Sequence, residues 1–72
     1  MQHTAAQVSI VLNGAGREVP PGSATDLLAF LGIDPRTVVV ELNRAIVRRP
    51  ALAATYIKEG DEIELVHFVG GG

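Results

Sequence analysis

The chain has 72 residues, a formal net charge of −2 and no cysteine. A length of this size allows one domain, and the lack of cysteine excludes disulfides, iron–sulfur clusters, zinc ribbons and thiol-based redox chemistry. The slightly acidic balance argues against a nucleic-acid backbone as the main partner, and no apolar run approaches the roughly 20 residues that a helix needs to cross a bilayer.

The first residues, Met1–Thr4, lack the basic and then apolar stretches of a signal peptide. We therefore expect a cytoplasmic protein with no membrane partner. A single domain this small has little room for a conventional enzyme active site. We expect no enzyme activity, no metal site and no bound cofactor.

The first predicted element is a β-hairpin. Val8, Ile10 and Leu12 recur with the period of a half-buried strand. The segment Asn13–Gly16 contains residues that tolerate the positive φ of a hairpin turn. Arg17–Val19 is the predicted returning strand, which stops at the two prolines that follow.

A short helix is predicted next. Ser23 and Asp26 have the spacing of a capping box at its start. An apolar stripe follows at helical spacing and consists of Ala24, Leu27, Leu28 and Leu31. Gly32 is placed to end the helix in a left-handed conformation. A helix of about nine residues is unstable alone in water, so it must pack against the rest of the domain.

The second half of the chain predicts mostly strands. Thr37–Leu42 is rich in β-branched residues, which favour a strand. A second short strand is predicted around Ala45–Arg48, and Pro50–Tyr56 is interpreted as a loop with one helical turn. Lys58–Asp61 is a predicted turn, and Glu62–Phe68 is the last predicted strand.

The predicted order is strand, strand, helix, strand, short strand, strand. One helix packed on one face of a mixed sheet of four to five strands is the ubiquitin-like β-grasp arrangement, an α+β fold. A right-handed crossover through the helix fits this layout. We assign residues 1–69 to the β-grasp domain and residues 70–72 to a flexible glycine tail.

The chain ends in three glycines, Gly70, Gly71 and Gly72. Glycine has no side chain, so three residues form a thin arm that extends up to about 10 Å into a narrow channel. The terminal carboxylate is ionised at neutral pH and can attack the α-phosphate of ATP to form an acyl adenylate. The alternative interpretation is a frayed end without function.

The last ten residues, Ile63–Gly72, follow Gly60 and Asp61 and closely resemble the end of the ThiS-like sulfur-carrier proteins of thiamine biosynthesis. The resemblance extends from about Val8 to the end of the chain. Its further matches are Leu12–Gly14, Thr25–Leu28, Val40–Asn43 and the pair Ile46 and Val47.

The resemblance implies a carrier that is not itself an enzyme. In that family a partner enzyme uses ATP to adenylate the terminal glycine, and a persulfide-bearing protein supplies sulfur to form a thiocarboxylate. Thiazole synthase then receives the sulfur. On this chain the resemblance assigns the adenylate and the thiocarboxylate to Gly72, and it assigns the threading arm to Gly70 and Gly71.

Alternation along the last strand predicts a surface for partner docking. If Ile63 and Leu65 face the helix, Val66 and Phe68 emerge on the open face of the sheet beside two glutamates. Val11 of the first strand emerges in the same way. Apolar residues on an open face near the tail are typical of a docking surface. The alternatives are that they cover a second patch of core or that the two faces are reversed.

The remaining polar candidates have simpler interpretations. His67 has no neighbours in the sequence that would complete a metal or catalytic site, and its place in the alternation predicts a structural role on the helix side. Arg44, Arg48 and Arg49 either steer the chain toward an acidic partner or form a solvated edge that limits strand association.

Three other functions stay open at this point. The small subunit of molybdopterin synthase shares the fold and the tail chemistry, and a ubiquitin-like modifier uses the same acyl adenylate for amide transfer. A non-covalent β-grasp binding module has no use for a free glycine tail.

Overall fold

A computed structural model of the chain describes residues 6–68. Its secondary structure, in chain order, is β1 Val8–Leu12, β2 Ala15–Val19, β3 Gly22–Ser23, α1 Ala24–Leu31, a 3₁₀ turn Pro35–Thr37, β4 Val38–Leu42, β5 Ala45–Val47, a 3₁₀ segment Arg49–Ala54, β6 Tyr56–Ile57 and β7 Glu62–His67. No helix in this part of the chain is long and apolar enough to cross a membrane.

Five of the strands form a mixed sheet in the order β2-β1-β7-β4-β5. β1 and β7 are parallel, and the other neighbours are antiparallel. The helix α1 supplies the apolar layer for one face of this sheet. The predicted β-grasp architecture, with five strands and one main helix, is confirmed.

A second, two-stranded sheet pairs β3 with β6 and was not predicted. It joins the start of α1 to the 3₁₀ segment, because the Ala24 amide donates to the Thr55 carbonyl at 2.7 Å. The segment predicted as a loop with one helical turn therefore contains a 3₁₀ helix, Arg49–Ala54, that ends beside this small sheet.

The turn of the first hairpin is tighter than the sequence predicts. Asn13 and Gly14 have φ values of 48° and 82°, the signs that a two-residue type I′ turn requires. The returning strand consequently begins at Ala15, two residues before the predicted Arg17.

The helix begins and ends where the sequence predicts. The Ser23 hydroxyl accepts from the Asp26 amide at 3.1 Å, and the Asp26 carboxylate accepts from the Ser23 amide at 2.9 Å. This reciprocal pair is a capping box that satisfies two amides at the helix start. Gly32 ends the helix with a φ of 73°.

The core lies between α1, the 3₁₀ segment and one face of the sheet. Its buried hydrophobic residues are Ile10, Val19, Ala24, Leu27, Leu28, Val38, Val40, Leu52, Ile57, Ile63 and Leu65. The residues of this set that belong to the five-stranded sheet occupy the alternate strand positions whose side chains face the helix. The side chains at the intervening positions point to the opposite side and form an open face.

Candidate functional site

β7 is the strand that leads into the predicted glycine tail. It lies in the middle of the sheet, parallel to β1 on one side and antiparallel to β4 on the other. The amide of Phe68, the last described residue, donates to the Thr37 carbonyl at 2.9 Å. The tail residues Gly70, Gly71 and Gly72 lie outside the described residues, and their assigned roles stay predictions.

Two asparagines in left-handed conformations hold β7 from both sides. Asn13 has a φ of 48°, and its side-chain oxygen accepts from the Leu65 amide at 2.8 Å. Asn43 has a φ of 51°, and its side-chain oxygen accepts from the Glu62 amide at 2.9 Å. Each side chain continues the hydrogen-bonding of a neighbouring strand past the point where that strand turns away.

The two faces of β7 are oriented as predicted. Ile63 and Leu65 are buried beneath the helix, whereas Val66 and Phe68 are 51% and 57% exposed on the side of the open face. The alternation therefore resolves the question of which face is open. The docking role of Val66 and Phe68 stays a prediction.

Val66 and Phe68 have apolar neighbours that the sequence analysis missed. Val39 on β4 lies directly opposite Val66. Ile46 on β5 is 65% exposed and lies opposite Glu41, on the same face. Val39, Ile46 and Phe68 line one shallow depression of about 350 Å³. We call Val39, Ile46, Val66 and Phe68 the apolar patch.

Alternation within β4 is the signal that could have identified Val39. Because Val38 and Val40 are buried, the residue between them must face the other way. Ile46 is harder to assign, since a strand of three residues carries almost no periodicity.

Val11 is not part of the apolar patch. It is 38% exposed and lies opposite Glu62, four residues before Val66 and thus about 13 Å away along β7. It lines a different shallow depression, of about 390 Å³, at the other end of the open face. The structure therefore brings two of the three predicted docking residues together and separates the third.

Three glutamates line the depression beside Val11, and we call Glu41, Glu62 and Glu64 the acidic row. Glu41 and Glu64 lie directly opposite each other on β4 and β7. The Arg44 guanidinium lies 4.0 Å from the Glu62 carboxylate. The open face thus has an apolar end next to the tail and an acidic end away from it.

The structural role predicted for His67 is wrong in one respect, because its side chain is exposed. It occupies the last residue of β7, where no element among residues 6–68 covers it. Within that same range no group of three or more histidines and acids is arranged to hold a metal.

Of the three arginines singled out in the sequence, Arg48 and Arg49 line the depression of the apolar patch.

A sequence model of the ThiS family matches residues 10–72, which is nearly the whole chain. The chain belongs to the ThiS family. The crystal structure of a ThiS thiamine biosynthesis protein from Geobacter metallireducens superposes with a TM-score of 0.79 and 35% sequence identity, covering 90% of this chain and all of that one.

The curated relatives of this ThiS-family chain include a sulfur carrier protein and thiazole synthases. The sulfur carrier protein ThiS of Bacillus subtilis is 39% identical over 51 residues, which are 71% of this chain and 77% of that protein. A thiazole synthase of Magnetococcus marinus is 42% identical over 66 residues, which are 90% of this chain but 20% of that protein. The chain therefore spans about a fifth of the length of that thiazole synthase.

Proposed function

We propose that this chain is a sulfur carrier of thiamine biosynthesis and that Gly72 carries the sulfur. The observation that carries the proposal is the ThiS-family match, which runs through all three terminal glycines. The similarity to a protein named sulfur carrier ThiS supports the same function.

The chemistry begins at the Gly72 carboxylate. One carboxylate oxygen attacks the α-phosphate of ATP, a P–O bond breaks and pyrophosphate leaves. The terminal sulfur of a protein persulfide then attacks the acyl carbon and displaces AMP. A thiol cleaves the resulting acyl disulfide, which releases the thiocarboxylate and forms an ordinary disulfide. In this scheme the partner enzyme binds ATP, and the chain is a substrate with no cofactor of its own.

The anchoring of β7 fits this role. The hydrogen bond from Phe68 to Thr37 fixes the chain two residues before the predicted tail, which begins at Gly70. From there, three glycines reach at most about 10 Å, enough to enter a narrow active site while the folded domain stays outside.

Thiazole synthase is the proposed acceptor of the sulfur. The Magnetococcus marinus relative and a second from Paramagnetospirillum magneticum are both named thiazole synthase, and each contains a segment similar to this chain. A carrier-like segment within a thiazole synthase supports contact between the two activities. An adenylating enzyme and a persulfide protein complete the proposed set of partners, in the cytoplasm where ATP and thiols are available.

The test of this proposal is the mass of the chain after reaction. The protein is incubated with ATP, a persulfide donor and the adenylating enzyme of the source organism. A thiocarboxylate adds about 16 Da, and oxidation of Met1 adds the same mass, so fragmentation must place the change on Gly72. A chain lacking Gly72 is the control. An unchanged C-terminal fragment with an active partner enzyme refutes the proposal, and transfer to a lysine would indicate a modifier instead.

We further propose that partners dock on the apolar patch. The Phe68→Ala variant should bind the adenylating enzyme at least about tenfold more weakly, because truncation of a central apolar anchor commonly costs more than about 2 kcal/mol. Phe30→Ala is the matched control, since Phe30 is 50% exposed on the helix. Equal affinities for the two variants would contradict docking here, and loss of folding in Phe68→Ala would place Phe68 in the core.

A further inference from the structure

We propose that the partner on the open face inserts an arginine or lysine side chain between Glu41 and Glu64. This inference rests on the proposed function and concerns the same docking face. It adds the chemistry of the partner: an apolar surface that meets the apolar patch, with a basic side chain placed to reach the acidic row.

The spacing of the two carboxylates follows from the register of β4 and β7. Phe68 donates to Thr37, and the Asn43 amide donates to the Glu62 carbonyl at 2.7 Å. Hydrogen-bonded pairs therefore recur every second residue between these two positions, and Glu41 with Glu64 is one of them. The Cα atoms of such a pair are about 5.5 Å apart, with both side chains on the same face.

Two like charges directly opposite each other destabilise a sheet. The ion pairs found within residues 6–68 involve other acids: Glu62 lies 4.0 Å from Arg44, and Asp34 lies 2.8 Å from Arg36. In that part of the chain neither Glu41 nor Glu64 has an ion-pair partner. The pair is thus a site where an added cation relieves repulsion as well as forming a new attraction.

The surroundings fit a long basic side chain rather than a free ion. The acidic row lines a shallow depression that also includes Val11, Gly14 and Arg44. The apolar patch begins next to it, since Val66 follows Glu64 by two residues on the same face of β7. An arginine presents several donors in a fork that can bridge two carboxylates, and its aliphatic stem can lie against apolar residues.

Charge complementarity of this kind sets specificity and association rate. A partner with an acidic residue at the same place would meet two unpaired carboxylates and be rejected. We commit to thiazole synthase as the probe, because relatives with that name contain a segment similar to this chain.

The experiment measures the dissociation constant of the full chain with the thiazole synthase of the source organism, by calorimetry. The variants are Glu41→Gln and Glu64→Gln, which keep the shape and remove the charge. Glu18→Gln is the control with the same change in net charge, because Glu18 lies on the edge strand β2, opposite Ser9, and β1 separates it from β7 and β4. Thermal unfolding of each variant checks that the domain stays folded.

We expect each of the two substitutions to weaken binding about tenfold, the effect of losing one charged hydrogen bond. Glu18→Gln should change the dissociation constant less than twofold. Raising NaCl from about 50 to about 300 mM should weaken the wild type more than Glu41→Gln or Glu64→Gln, because salt screens the lost charge pair. Neither Glu41→Gln nor Glu64→Gln should have a lower melting temperature than the wild type.

Equal binding by the wild type, Glu41→Gln and Glu64→Gln would overturn the inference, and so would a wild type that does not bind thiazole synthase. Either result can coexist with a thiocarboxylate on Gly72, in which case the sulfur-carrier function stands and only the basic contact is refuted. A chain that binds as expected but never acquires sulfur refutes the function instead.

Discussion

Removal of the Asn13 side chain should destabilise the domain more than its position in a surface turn implies. Its oxygen accepts from the Leu65 amide at 2.8 Å, and its nitrogen donates to the Leu65 carbonyl at 3.5 Å. Both groups belong to β7, and the contact joins residues 52 positions apart. In Asn13→Ala the Leu65 amide loses its partner in a partly buried place.

Two effects add to the loss in Asn13→Ala. An unsatisfied donor costs about 1–3 kcal/mol. The φ of 48° costs a residue such as alanine a further 1 kcal/mol or so. A loss of roughly 3 kcal/mol is large against the total stability of about 4–10 kcal/mol that a domain of this length has.

Urea denaturation of three variants separates the two effects. Asn13→Gly removes the hydrogen bonds but accepts the left-handed conformation, so we expect it to lose less than Asn13→Ala. Asn13→Asp keeps the acceptor for the Leu65 amide, so we expect the smallest loss, about 1 kcal/mol. The reasoning is refuted if Asn13→Asp is as unstable as Asn13→Ala, or if Asn13→Ala unfolds at the same urea concentration as the wild type.

Two further predictions concern the start of the helix and the loss of stability at low pH. A Cβ at Gly22, where φ is 155°, would lie 2.7 Å from an Asp26 carboxylate oxygen. Gly22→Ala should therefore break the capping box and lower the free energy of unfolding by about 1–2 kcal/mol, and a variant that unfolds like the wild type would contradict this. Hydrogen bonds from Arg36 hold the pKa of Asp34 at about 2, below its ordinary value. The stabilisation is then complete above the unfolded pKa and disappears as the pH falls toward 2, so carboxyl NMR should give a midpoint near 2 for Asp34, and Asp34→Asn should flatten the pH dependence of stability in that range.

The parts of the fold that depend on neighbouring residues were predictable from the sequence. The capping box of Ser23 and Asp26, the left-handed Gly32 and the turn at Asn13 each obey a rule that operates within a few residues. Alternation in β7 predicted the burial of Ile63 and Leu65, since the period of a strand is two, but it did not predict the exposure of His67 at the strand end. These local rules sufficed for the β-grasp arrangement.

Apart from Val39, whose face follows from alternation in β4, the features discussed next were missed because they depend on contacts between distant parts of the chain. Asn13 was interpreted only as a turn residue, because no local pattern reveals a hydrogen bond to Leu65. The same holds for the pairing of β3 with β6, where each strand has two residues and hence no periodicity. Ile46 shares the open face with Val39 and Val66 for a reason of topology: β5 pairs with β4 at the edge of the sheet, which places Ile46 opposite Glu41.

The separation of Val11 from Val66 and Phe68 has the same origin. The parity of Val11 correctly predicted its face, but its position along that face depends on the register between β1 and β7. That register places Val11 opposite Glu62. Sequence alone therefore predicted the face of the candidate site but not its division into an apolar and an acidic end.

The most direct test of the account is the mass of the C-terminal fragment after reaction with ATP, a persulfide donor and the adenylating enzyme. The account predicts a gain of about 16 Da on Gly72 that depends on ATP. Alkylation of the thiocarboxylate and fragmentation of the chain distinguish this gain from oxidation of Met1, which adds the same mass. An unmodified Gly72, in the presence of an enzyme shown to adenylate another ThiS-family carrier, would contradict the proposed function.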